Sequence, residues 1–177
     1  HVTTALISID NYNTFRITRI MLIVEKFHNK IMQVRKLLKQ DYDNWLDLWK
    51  GYQDFYKVTL TSELSELTFD RLINESEEMG CFVLEAENKL IGLVHYIFHR
   101  STWTEGNYCY LQDLFVKTDN RAKGCGKSLI EAVYEEAHKK NCSRVYWLTQ
   151  ETNYQARILY DQVAVNTGFI QYRKNLS

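Results

Sequence analysis

Gly124 and Gly126 stand two apart in the run Arg121-Ala122-Lys123-Gly124-Cys125-Gly126-Lys127-Ser128, in a chain of 177 residues with no proline and only 7 glycines. The run joins two patterned segments. Before it, Tyr108 to Val116 reads as a strand, followed by the polar turn Lys117 to Asn120. After it, Leu129, Ile130, Val133 and Ala137 recur at helical spacing. Glycine lets backbone N–H groups approach a ligand without a Cβ in the way, and the helix N-terminus adds partial positive charge, so the segment suits a pyrophosphate. On spacing alone, a tight strand-to-helix turn is the alternative. A Walker loop needs glycine where Arg121 stands, and a dinucleotide fingerprint needs a small third residue where Leu129 stands. The letters exclude both.

Around this unit the periodicities alternate. Gln33 to Leu38 is a short mixed apolar and basic stretch, and Asp41 reads as the N-cap of a helix carrying Trp45, Leu48, Trp49, Tyr52, Phe55 and Tyr56 on one face. A second helix is expected over Thr61 to Asn74. Strands follow at Cys81 to Leu84 and Leu90 to Phe98, joined by a turn at Glu87-Asn88. Beyond the glycine loop and its helix come a strand at Val145 to Thr149, a short helix from Asn153 and a final strand at Phe169 to Tyr172. The expected class is α/β (α+β), a mixed central β-sheet flanked by helices. Residues 1–30 begin with His1, lack periodicity and precede Met32. They read as an N-terminal extension that is not native to the domain, with Met21 or Met32 as alternative starts. Residues 31–177 make one domain.

Lys plus Arg and Asp plus Glu balance at 22 each, so no polyanion partner and no electrostatic membrane attachment is expected. No apolar run approaches the ~20 residues that span a bilayer. Cys81, Cys109, Cys125 and Cys142 form no CxxC pair, which reads as reduced thiols of a cytoplasmic protein. His95 and His99 are four apart, but in a strand-like run with no third ligand; they read as surface or pocket histidines, and no metal is expected.

Arg121, Gly124 and Gly126 match the acyl-CoA signature of the GNAT superfamily of N-acetyltransferases, and the chain resembles that family further on. Asn153, Ala156, Leu159 and Tyr160 resemble its Asn-x-x-Ala-x-x-Leu-Tyr segment, and Gly168-Phe169 its closing Gly-Phe. The resemblance covers residues 32–177. Tyr110 to Val116 and Trp103-x-x-Gly106 are similar to the polyamine and thialysine N-acetyltransferases and to the histone-and-polyamine acetyltransferase group. The resemblance implies acetyl-CoA as donor, with backbone groups of Leu114, Phe115 and Val116 on the pantetheine arm. Arg121, Ala122, Lys123, Gly124, Cys125, Gly126, Lys127 and Ser128 would wrap the pyrophosphate, with Asn153 and Ala156 further along the cofactor. It implies that Tyr160 meets the sulfur and protonates the departing thiolate; a core tyrosine is the alternative.

A protonated alkylamine, with a pKa of about 10.4 for a lysine-like group, cannot attack a thioester until something accepts its proton. The polyamine branch carries glutamate where this chain has Gln112, whose amide has no useful basicity. Asp113 and Glu151 are the remaining candidates, acting through water. Gln112 and Asp113 cannot both face a pocket in a regular strand, and a bulge there would also free an N–H for the oxyanion. Tyr52, Asp54 and Tyr56, with Gln112, are candidate acceptor contacts through carboxylate and ring-face interactions. Cys125 has no His or Asp neighbour to activate it as a nucleophile. A small primary amine is the expected acceptor, whether polyamine, thialysine-like or another amino acid. A protein lysine or N-terminus is the alternative, and an acyl-CoA-binding module is the non-enzyme reading. Edge strands point to a homodimer.

Overall fold

The computed structural model describes residues 32–176, so the segment 1–30 lies outside the described residues. The chain builds β1 (Gln33–Lys36), α1 (Tyr42–Tyr56), α2 (Ser62–Ile73), β2 (Met79–Ala86), β3 (Lys89–His99) and β4 (Tyr108–Val116). Then come α3 (Cys125–Lys139), β5 (Arg144–Tyr146) and α4 (Tyr154–Val163). The strands form one sheet in the order β1-β2-β3-β4-β5. The first three pairings are antiparallel, and β5 joins β4 in parallel after the α3 crossover.

Local chemistry explains the joints. Glu87 and Asn88 both take positive φ, 51° and 60°, which is the backbone of a tight two-residue hairpin turn. Thr61 caps α2 by accepting the Leu64 N–H at 3.2 Å. Asp41 stands at the N-cap position of α1 but leaves its first turn uncapped. Its carboxylate is taken by Arg35, at 2.7 and 3.0 Å, and by the Leu38 N–H. The Arg35 guanidinium accordingly holds the Asp41 carboxyl below the usual carboxylate range.

Helices cover both faces of the sheet. Trp45, Leu48 and Trp49 of α1 and Phe69 and Leu72 of α2 pack on Cys81, Val83 and Leu93. On the other face Leu129, Ile130, Val133 and Ala137 of α3 pack on Val94, Tyr96 and Leu111. The central strand β3 is buried on both sides, which is why Leu90 to Val94 reads as an apolar run without alternation.

The C-terminal part differs from expectation. β5 stops at Tyr146, and residues 165–176 form no strand; Phe169 is 87% exposed. A strand needs a ladder partner and a buried face. Residues 165–176 have neither among the described residues.

Candidate active site

The pairs Tyr96–Leu111, Ile97–Tyr110, Phe98–Cys109 and His99–Tyr108 follow one register, while His95–Asp113, Val94–Leu114 and Leu93–Phe115 follow another, one residue displaced. Gln112 is the extra residue, a β-bulge in β4. Had the first register continued, Gln112 would face His95 and Asp113 would point into the α3 core. The bulge instead sets Asp113 opposite His95, on the α1 face, and leaves Gln112 exposed. The β4–β5 ladder ends at Tyr110–Tyr146, two residues before the bulge. Beyond it β4 has no strand partner on that side among the described residues.

Asp113 is 9% exposed and His95 2%. His95 Nδ1 lies 3.0 Å from Asp113 Oδ2, and Trp45 Nε1 donates to His95 Nε2 at 3.0 Å. Trp49 also lies against the imidazole, with ring centroids 5.2 Å apart. His95 is thus a core histidine that reading the sequence alone missed, while His99 is exposed and bonds the Tyr146 hydroxyl. Spacing could not reveal the pair, because only the bulged register aligns residues 95 and 113.

Two tyrosines, Tyr52 and Tyr110, lie within electrostatic reach of Asp113, and Tyr56 and Tyr160 adjoin them. Gly51 allows α1 to approach β4, since a Cβ there would sit 2.9 Å from the Phe115 ring. Tyr52 therefore comes over the sheet. Burial, and next the Asp113 carboxylate, push the Tyr52 and Tyr110 phenols up. Tyr56 meets Tyr52 edge-on at 5.0 Å. Tyr160, on α4, packs against Trp147 at 5.3 Å. Burial first, and then the nearby Tyr56, push its phenol up to about 12. Tyr56 thus lies within electrostatic reach of Tyr160, Tyr52 and Tyr110. Tyr110 and Tyr146 were not singled out as contacts from the sequence; their rings meet at 5.1 Å.

The other candidates fall elsewhere. Asp54 is on the far side of α1, lining a groove of about 450 Å³ with Lys50, Thr59 and Glu66. Glu151 lies in an exposed turn where its carbonyl accepts from Arg157. Neither joins the tyrosine ring.

The glycine loop sits beside this ring. Gly124 has φ +79° at the N-cap of α3, and no side chain caps that helix. Its first N–H groups have no capping side chain, and no acidic residue in the first turn opposes an anion. Ala122 also takes positive φ, 59°. Arg121 is anchored, its Nε donating to the Val116 carbonyl at 3.0 Å and its guanidinium 5.9 Å from both the Phe55 and Phe115 ring centres. A Cβ on Gly126 would meet Leu159 at 2.9 Å, so α3 and α4 touch just where Tyr160 projects. Asn153 occupies the N-cap position of α4, and Ala156 is half-buried on its first turn. Lys123 donates to the Asp119 carbonyl and Lys127 pairs with Glu131, while Cys125 is buried against Met32.

Residues 45–164 match the acetyltransferase (GNAT) family. The chain belongs to the GNAT acetyltransferase family. It is an N-acetyltransferase, of a family whose acyl donor is acetyl-CoA. Among curated relatives it is 35% identical over 153 residues to a D-amino-acid N-acetyltransferase of Saccharomyces cerevisiae, covering 85% of this chain and 95% of that one. It is 37% identical over 156 residues to a thialysine N-epsilon-acetyltransferase of Mus musculus, covering 80% and 91%. An aminoglycoside N-acetyltransferase in complex with CoA shares the GNAT fold, with TM-score 0.72 at 16% identity over 83% of this chain and 96% of that one. The uncapped N-terminus of α3 and the left-handed Gly124 are features that suit an anion. No group of three or more metal-ligating side chains occurs among the described residues, and no helix there is long and apolar enough to cross a membrane.

Proposed function

We propose that this GNAT enzyme acetylates the amine of a small amino-acid-type acceptor that carries one ammonium at the reacting end. The observation that carries the reading is the single carboxylate, Asp113, at the β4 bulge among Tyr52, Tyr56 and Tyr110, with Tyr160 facing them from α4. Tyrosine faces and one buried anion suit a compact cation. A polyamine would call for further carboxylates along its length, whereas Asp54 lines a separate groove and Glu151 lies in an exposed turn. The names of the relatives, one acting on D-amino acids and one on thialysine, point the same way.

In this reading Asp113 seats the ammonium and draws off its proton through water. The freed nitrogen attacks the thioester carbon, forming the C–N bond, and an N–H released at the Gln112 bulge supports the oxyanion. The C–S bond then breaks, Tyr160 gives its proton to the thiolate, and the second proton shed by the new amide nitrogen restores the Tyr160 phenol. Gln112, exposed beside this point, offers its amide to the acceptor and no basicity. The loop from Arg121 to Ser128, with Leu114 to Val116 along the unpaired side of β4 and Asn153 and Ala156 on α4, is the surface on which we place the donor.

The test is release of CoA thiol from acetyl-CoA with amino acids of both hands, thialysine, spermidine, spermine and a lysine peptide. Fastest turnover with amino acids or thialysine is expected. Preference for a polyamine or the peptide would overturn the acceptor assignment, and acetyl-CoA binding without turnover of any amine would make the chain a binding module.

A further inference from the structure

The indole N–H of Trp45 can only donate. It points at His95 Nε2, so that nitrogen must present its lone pair, and the one hydrogen of the neutral imidazole sits on Nδ1. Nδ1–H therefore donates to Asp113 Oδ2, and the chain of bonds runs in one direction, from Trp45 through His95 to Asp113.

This differs from the usual behaviour of a histidine beside a carboxylate, which attracts a proton and forms a neutral ion pair. Protonating Nε2 here would set two N–H donors against each other at a residue 2% exposed. Neighbouring elements offer no relief. From β2 comes Cys81, the ladder partner of His95, whose thiol burial holds protonated. From α1 come the Trp45 and Trp49 rings and Tyr52, kept a neutral phenol by burial and by Asp113. From α2 comes the apolar Phe69, against Trp45. From β4 comes Tyr110, likewise held as a phenol, and Asp41, on the turn before α1, is already matched by Arg35.

We infer that Trp45 and His95 are positioning residues: Trp45 locks His95 in the Nδ1–H tautomer, and that N–H holds the Asp113 carboxylate in place for the acceptor ammonium. The amine-binding part rests on the proposed role of Asp113; the tautomer lock does not.

The first experiment is a long-range proton–nitrogen spectrum of the full chain labelled with nitrogen-15 histidine at about pH 8. His95 is expected to show the Nδ1–H pattern. An Nε2–H pattern would overturn the lock whatever the enzyme acetylates. In Trp45→Phe the packing ring remains and the donor is lost, so the Nε2–H tautomer should appear beside the first. The KM for the amine found in the panel should then rise roughly tenfold, with acetyl-CoA affinity unchanged, as Asp113 loses the N–H that holds it. His95→Asn, which retains a donor toward Asp113, should keep KM near the parental value. A Trp45→Phe enzyme with the parental KM would overturn the link to the amine while leaving the spectrum to judge the lock.

Discussion

Tyr160 and Asp113 divide the work of the proposed transfer, and single substitutions separate them. The Tyr160 phenol is pushed up to about 12, so its proton is in place throughout the working range. Tyr160→Phe should lower kcat by roughly 10²-fold or more, the usual scale of a general acid, with acetyl-CoA affinity unchanged in an equilibrium titration. An unimpaired variant would remove the leaving-group role. Asp113→Asn keeps the shape and loses the charge; KM for the amine should rise about tenfold or more while acetyl-CoA binding stays. Gly124→Val places a Cβ on the loop proposed to hold the pyrophosphate and adds left-handed strain of about 1–2 kcal/mol. Loss of acetyl-CoA binding by calorimetry is the expected result. Gly126→Val would do less specific damage, because its side chain strikes Leu159 as well.

At the level of elements, the bulge in β4 and the end of α1 shape the site. A chain lacking Gln112 would keep His95 opposite Asp113 in one continuous register and lose the bulge. It should fold, with a melting temperature close to the parent, and lose most of its kcat; full activity would show that the bulge contributes nothing to the oxyanion. α1 ends on Lys57 at φ 56°, with Val58 N–H bonded to the Gln53 carbonyl and Lys57 N–H to that of Asp54. Glycine normally takes this position. Lys57→Gly should therefore stabilise the fold by about 0.5–1 kcal/mol, roughly 2 °C in Tm, read by thermal melting.

For the molecule as a whole, buried acids set an alkaline limit. Burial pushes the Cys109 thiol from 9.0 up to about 12 and the Tyr160 phenol from 10.0 up to about 12. Both are neutral when folded and ionise more readily when unfolded. The stabilisation is thus complete below pH 9 and is lost as pH rises toward 12, so the denaturation midpoint should fall over that window. The homodimer expected from sheet edges gains a structural motive in the exposed Phe169, Ile170 and Tyr172. Sedimentation should give twice the mass of the chain; a monomer would dismiss it.

Much of the architecture was legible because it depends on local pattern. The span of β4 agrees with the sequence reading, and the α3 face is buried at the four residues whose spacing announced it. The glycine pair marked the turn between a strand and an amphipathic helix, and the structure has β4 before it and α3 after it. Other features depend on partners distant in sequence and could not be read. Asp41 looked like a cap until Arg35 claimed it. The stretch after Tyr146 has strand-like residues but no ladder to join among the described residues. Above all, sequence left Asp113 and Glu151 as rivals and did not say which of Gln112 and Asp113 faces the pocket, since a strand's two faces are equivalent until its register is fixed. One extra residue in β4, fixed by its pairing with β3, turned Asp113 toward His95 and the tyrosines of α1, and that choice belongs to the tertiary structure alone.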